Sequence, residues 1–119
     1  DMARRGHPER SENARVRAAI ARRVEEVARA RGCPDRMGEL SRRLRQDGIE
    51  LARSKNGGAQ YRYYSKSLGR QRKVNASRLG YARNRRTGMV MRFTLRGISD
   101  AMRTLWEIER RSIEEEYER

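Results

Sequence analysis

The sequence predicts an α+β protein: two N-terminal helices, a small antiparallel sheet with a hairpin, and a C-terminal helix. Apolar residues recur at every third or fourth position near both ends of the chain, and the middle switches to alternation. Glycine-containing pairs punctuate the points where the pattern changes. With 119 residues, of which 35% are hydrophobic and 39% charged, the chain can bury one modest core.

Residues 1–10 are polar, contain Gly6 and Pro8, and read as a flexible basic arm ahead of a single domain over 11–119. Ser11 is a suitable N-cap for a helix whose stripe is Val16, Ile20, Val24 and Val27, ending near Arg31. Gly32 fits the left-handed C-cap position and Pro34 prevents resumption. Asp35 caps a second helix carrying Met37, Leu40 and Leu44, which ends at Asp47-Gly48. "IELAR" places Ile49 and Leu51 on one face of a short strand. "KNGG" suits a type I′ hairpin turn, because Asn-Gly accepts positive φ. In the return strand "QYRYYS", Tyr61 and Tyr63 share one face while Arg62 and Tyr64 share the other. "SLGRQ" turns again, and "RKVNA" gives a third strand with Val74 and Ala76 inward. Residues 80–88 read as a basic loop, and "MVMRFTL" as a strand or an ordered linker with Met89, Met91 and Phe93 alternating. Ser99 then caps a last helix with Met102, Leu105, Trp106, Glu109 and Ile113 along one side. Its acidic last turn, "EEEYER", opposes the helix dipole and should fray.

The formal charge is +14, which makes nucleic acid the leading partner; a solubilised surface or a ribosomal or histone-like role is the bland alternative. The charge is uneven. From Leu51 to Ser99 there are thirteen cations and no carboxylate, whereas a solvated face mixes signs. After Ser99 the balance turns acidic. Of the thirty cations only Lys55, Lys66 and Lys73 are lysines. Arginine forks onto phosphate and stacks on bases, although a GC-rich genome gives the same bias.

One cysteine, Cys33, allows no internal disulfide and no zinc-thiolate cluster. No apolar stretch approaches a membrane span and the start has no signal-peptide core, so a cytoplasmic protein is expected. The Asp before Met2 reads as an addition, and the chain as a fragment or a trimmed gene product.

Catalytic chemistry finds little to work with. The only histidine is His7, in the expected arm. Glu25 and Glu26 point different ways on a helix, and Glu39 and Asp47 stand about two turns apart, so no pair has a two-metal nuclease spacing. Tyr61, Tyr63 and Tyr64 invite comparison with tyrosine nucleophiles, but no histidine cluster accompanies them. They read instead as core or as a base-stacking platform. Ser65 and Ser67 read as turn residues without a base partner. No enzyme activity, cofactor or metal is expected.

The stretch "MGELSRRLRQDGIELARSKNGGAQYRYYSKSLGRQRKVNASRLG" resembles the accessory module that follows the catalytic core in relaxases, the mobilisation nucleases of plasmids and integrative elements. The resemblance rests on Leu40, Leu44, Gly48, Ile49, Tyr63, Leu79 and Gly80, and covers roughly Val16 to Arg86. It implies a DNA-handling accessory fold of a mobile genetic element. The catalytic tyrosine and histidine triad of relaxases are absent, so no catalytic residue carries over.

The expected function is therefore non-catalytic DNA binding, led by phosphate contacts, with DNA favoured over RNA. The residues expected to carry it are Arg53 and Lys55 at the first turn, Arg62, Lys66, Arg70, Arg72 and Lys73 on and around the strands, and Arg83, Arg85 and Arg86 in the loop, with Tyr64 as a stacking group. No base-reading motif is visible, so weak sequence specificity is expected. Three other readings stay open: an RNA or ribonucleoprotein partner, a phage or mobile-element inhibitor of a host nucleic-acid machine such as a CRISPR complex, and self-association through the last helix at Trp106 and Ile113.

Overall fold

The computed structural model describes residues 8–55 and 57–118, with side chains for 11–55 and 57–115. Helix α1 (Pro8–Arg29) and helix α2 (Arg36–Gln46) precede a three-stranded antiparallel sheet, β1 (Glu50–Arg53), β2 (Ala59–Ser65) and β3 (Arg70–Asn75), in the order β1-β2-β3. A single turn, α3 (Ala76–Leu79), leads to a separate hairpin, β4 (Tyr81–Arg83) and β5 (Val90–Arg92). Helix α4 (Leu95–Glu118) closes the chain. The α+β class and the order of the major elements match the sequence reading.

The core lies where α1, α2 and α4 meet the inner faces of the two sheets. From α1 come Val16, Ile20, Val24 and Val27, and from α2 Leu40 and Leu44. The strands add Tyr61, Tyr63, Val74 and Met91. Phe93 follows β5, and Ile98, Met102 and Leu105 come from α4. Leu40 and Leu44 are fully buried, and burial of such a side chain contributes roughly 1.5–3 kcal/mol.

Several boundaries differ from the sequence reading. Helix α1 begins at Pro8, so Ser11 lies inside it and is not its cap; of the expected arm, only residues 8–10 are described, and they are helical. Proline suits a first helical turn because its missing N–H is an orphan there in any case. Helix α1 ends at Arg29, where the Ala30 amide donates to the carbonyls of Glu26 and Val27, and Gly32 follows at φ +67°. Helix α2 follows its signals: the Asp35 side chain accepts from the Gly38 amide, and Asp47 is the C-cap.

The first hairpin is not a two-residue type I′ turn. Arg53 pairs with Ala59, the Ser54 amide donates to the Gly58 carbonyl, and the Gly57 amide donates to the Ser54 carbonyl. The loop is therefore the three-residue kind, with Gly57 at φ +81°; Asn56 lies outside the described residues. Ala76 is buried as expected, but as the first residue of α3.

Residues 80–88 are not all loop, since β4 pairs with β5 at Tyr81–Arg92, Ala82–Met91 and Arg83–Val90. The Asn84 side-chain oxygen accepts from the amides of Arg86 and Thr87, which folds the turn back on itself. Ser99 is not the cap of α4. The Thr94 hydroxyl accepts from the Gly97 amide, and the helix starts at Leu95. A Cβ at Gly97 would stand 2.5 Å from the Arg92 carbonyl oxygen, so glycine there lets the helix start close against β5. Helix α4 is assigned through Glu118; in its acidic last turn Glu114 and Glu115 are exposed, with Glu114 3.7 Å from Arg110, and the remaining side chains of that turn lie outside the described residues.

Candidate nucleic-acid interface

Carboxylates in this protein are concentrated on the helices, and the fold assigns most of them to helical arginines. Arg23 grips Asp47 with two donors, Nε to Oδ2 at 2.8 Å and Nη2 to Oδ1 at 2.9 Å, and also donates to Glu26. Glu39 accepts from Arg42 and Arg43, which hold its carboxyl down at about 2. Glu109 stands 3.9 Å from Arg29, and Asp100 accepts from Arg103.

The acid-free segment is left largely bare. Of its thirteen cations, only Arg62, Arg72 and Arg86 lie near a carboxylate among the described residues. Arg62 is 3.9 Å from Glu50, a loose pair in which both side chains are well exposed.

Arg72, expected among the phosphate-contacting cations, is turned inward and largely buried. It lies opposite Tyr63 in the β2–β3 register, on the inner face, with 15% of its side chain exposed. Its Nη1 donates to the Tyr63 hydroxyl at 2.6 Å and to Asn13 Oδ1 at 3.0 Å, and stands 3.5 Å from Glu12. Glu12 is the buried anion of this cluster. It accepts from the hydroxyls of Ser65 and Ser67, each at 2.6 Å, and of Tyr63 at 3.1 Å. The Ser65 and Ser67 bonds, more than the neighbouring charge, hold its carboxyl down at about 2 against the cost of burial. The two serines read from sequence as turn residues thus also bind a carboxylate.

Arg83, Arg85 and Arg86 meet α1 at a groove of about 520 Å³ between that helix and the β4–β5 hairpin. Val24, Met89, Met91 and Leu105 form its apolar lining, and Arg22 and Arg29 from α1 join the three hairpin arginines. One carboxylate, Glu25, faces these five cations. Its Oε1 accepts from Arg29 and Arg86, each at 3.1 Å. Arg22 also leans to within 3.6 Å of Asp47. Arg83 and Arg85 are exposed and have no carboxylate partner among the described residues. The charge count alone missed Arg22 and Arg29, because they lie outside the acid-free run from Leu51 to Ser99. Their spacing of seven places them on one helix face.

The outer face of the three-stranded sheet holds a second group. Arg62 stands directly across from Lys73, and Tyr64, 57% exposed, across from Gln71. Arg62 donates to Gln60, which donates to Asn75, so this face carries a polar lattice. Lys66 and Arg70 flank the β2–β3 turn at one end of the sheet; Arg53 and Lys55 sit by the β1–β2 turn at the other. Strand β2 has seven residues, so these ends are roughly 20 Å apart. The eleven residues expected from sequence therefore fall into a groove group, a sheet-face group, two sheet ends and one interior arginine.

Two of the three β2 tyrosines are committed to packing. The Tyr61 hydroxyl donates to the Phe93 carbonyl at 2.7 Å in a fully buried setting, and burial pushes it well above the usual phenol range. Tyr63 is raised by burial as well. On α4, two guanidiniums lie over the Trp106 ring, Arg36 at 5.2 Å and Arg110 at 5.0 Å from its centre.

Among the described residues no helix is long and apolar enough to cross a membrane, and no group of three or more His, Cys, Asp or Glu side chains converges. The chain matches no protein-family model, no curated protein and no solved structure.

Proposed function

We propose that this chain is a non-catalytic DNA-binding protein or domain of a mobile genetic element, related to the relaxase accessory modules it resembles and acting mainly through phosphate contacts. One observation carries the DNA-binding reading: among the described residues, most helical carboxylates are occupied by helical arginines, while the cations of Leu51–Ser99 are left almost without acidic partners. Bare arginines attract polyanions because little within the fold neutralises them. The groove group, led by Arg83 and Arg85, forms the centre of the contact, with Arg62 and Lys73 on the sheet face extending it. The burial of Tyr61 and Tyr63 supports a binding role over a nucleophilic one. The relaxase-related origin is supported by the resemblance alone; five of its residues are buried apolar or aromatic positions and two are glycines at φ +75°.

Affinity for duplex DNA measured over a range of salt tests the proposal. About 6 phosphate contacts give a slope of log affinity against log salt near −5. Affinity that hardly changes between low and physiological salt overturns it.

A further inference from the structure

Within that nucleic-acid reading, we infer that the outward face of the β4–β5 hairpin is a stacking platform for an unpaired nucleic-acid strand, with Tyr81 as the residue on which a base lies. The hairpin has two unlike faces. Ala82 and Met91 are paired across it and turn inward, Met91 fully into the core. Tyr81 and Arg92 are directly opposite one another on the other face, as are Arg83 and Val90. Tyr81 is 59% exposed and Val90 49%, two of the four large apolar side chains left exposed among the described residues. They stand diagonally across the hairpin, close enough for an aromatic ring to reach. The result is an apolar spot with an arginine at each remaining corner.

Charge decides what can cover this spot. Arg83 and Arg92 are exposed and have no carboxylate partner among the described residues. The acid beside the neighbouring hollow at Val90 and Arg92 is Asp100, which Arg103 holds at 3.2 Å. An apolar protein surface would bury two uncompensated guanidiniums, whereas a polynucleotide brings an apolar base face and a phosphate together. Duplex DNA cannot supply the base face, because its bases are stacked on one another. The other tyrosine exposed among the described residues, Tyr64, is less suited: its sheet face carries a lattice of Gln60, Arg62 and Asn75, with Glu50 close to Arg62. Arg83 also lines the groove on α1, so a strand leaving the platform meets the groove arginines next.

The test measures binding of an oligothymidylate of about twelve nucleotides, and of a duplex of the same length, by fluorescence anisotropy at fixed low salt. Tyr81→Ala is expected to weaken single-strand binding by roughly 5- to 150-fold, the range for losing one base–aromatic stack. Tyr81→Phe should stay within about twofold of the parent, since the ring does the stacking. Duplex affinity should be unchanged in both variants, and so should melting, because Tyr81 is exposed. The platform is overturned if Tyr81→Ala binds the single strand like the parent, if Tyr81→Phe falls as far as Tyr81→Ala, or if duplex binding falls equally. In each of those outcomes DNA binding itself survives. Failure of the parent to bind either probe removes both readings.

Discussion

Arg86 of the hairpin turn donates to Glu25 of α1 at 3.1 Å across sixty-one positions of sequence. This contact ties the most basic loop of the chain to a helix and makes Glu25 the one acid lining the groove among the described residues. It also divides the three hairpin arginines: Arg86 is partly neutralised, while Arg83 and Arg85 are not.

Arg83 and Arg85 are therefore the pair to remove. Replacing both with alanine is expected to weaken duplex DNA binding and make the salt slope shallower by about 2, one for each lost phosphate contact. Arg45→Ala with Arg111→Ala removes the same charge from exposed helix positions on α2 and α4. Anisotropy titrations over a salt series separate a placed site from general attraction, which lowers the slope equally in both double variants.

The Arg86–Glu25 tie itself can be probed. Glu25→Gln removes the carboxylate that lines the groove beside Arg29 and Arg86 and is expected to tighten DNA binding several-fold at low salt. Arg29 and Arg86 side chains are about half exposed, so the effect on stability should stay within about 1 kcal/mol. Weaker DNA binding by this variant would mean that Glu25 positions the arginines more than it neutralises them.

Glu12 makes stability depend on pH in the acid range. Its carboxyl is held at about 2 in the fold against an ordinary value of 4.5, so the folded state favours the ionised form. The contribution is fully present above the unfolded value and is lost as pH falls through the folded one. Urea melts between pH 5 and pH 2 should show this loss, and Glu12→Gln should flatten the part that Glu12 supplies. Glu12→Gln is also expected to cost about 3 kcal/mol at neutral pH, since it leaves Arg72 without its buried anion.

Tyr61→Phe removes the hydroxyl that donates to the Phe93 carbonyl and leaves that acceptor unsatisfied. A loss of about 1–2 kcal/mol in chemical denaturation is expected, with DNA affinity unchanged. Metal-dependent nicking by the parent protein that vanishes in this variant would show that Tyr61 acts as a nucleophile.

Local signals were enough for the helices and for the face of β2. The stripe Val16, Ile20, Val24, Val27 has one solution on a 3.6-residue helix, and period two fixes which side Tyr61 and Tyr63 take. Asp35 and Gly48 act on neighbours a few residues away, so their roles could be read directly. The acid-free run was equally visible, because net charge needs no geometry. Tertiary structure decided what each cation faces. Arg72 reads as a strand cation like Lys73, yet the one-residue offset turns it inward onto Glu12, sixty positions away. Strand β4 was hidden because only three residues pair, with Ala82 as its one inward side chain, too short a run for alternation to register. Its partner lies beyond a turn held by the Asn84 side chain. The groove exists only because that hairpin folds back against α1 and brings Arg83 and Arg85 beside Arg22 and Arg29. Periodicity reports the face a residue takes on its own element; which distant element covers that face is set by packing, and packing placed the charge.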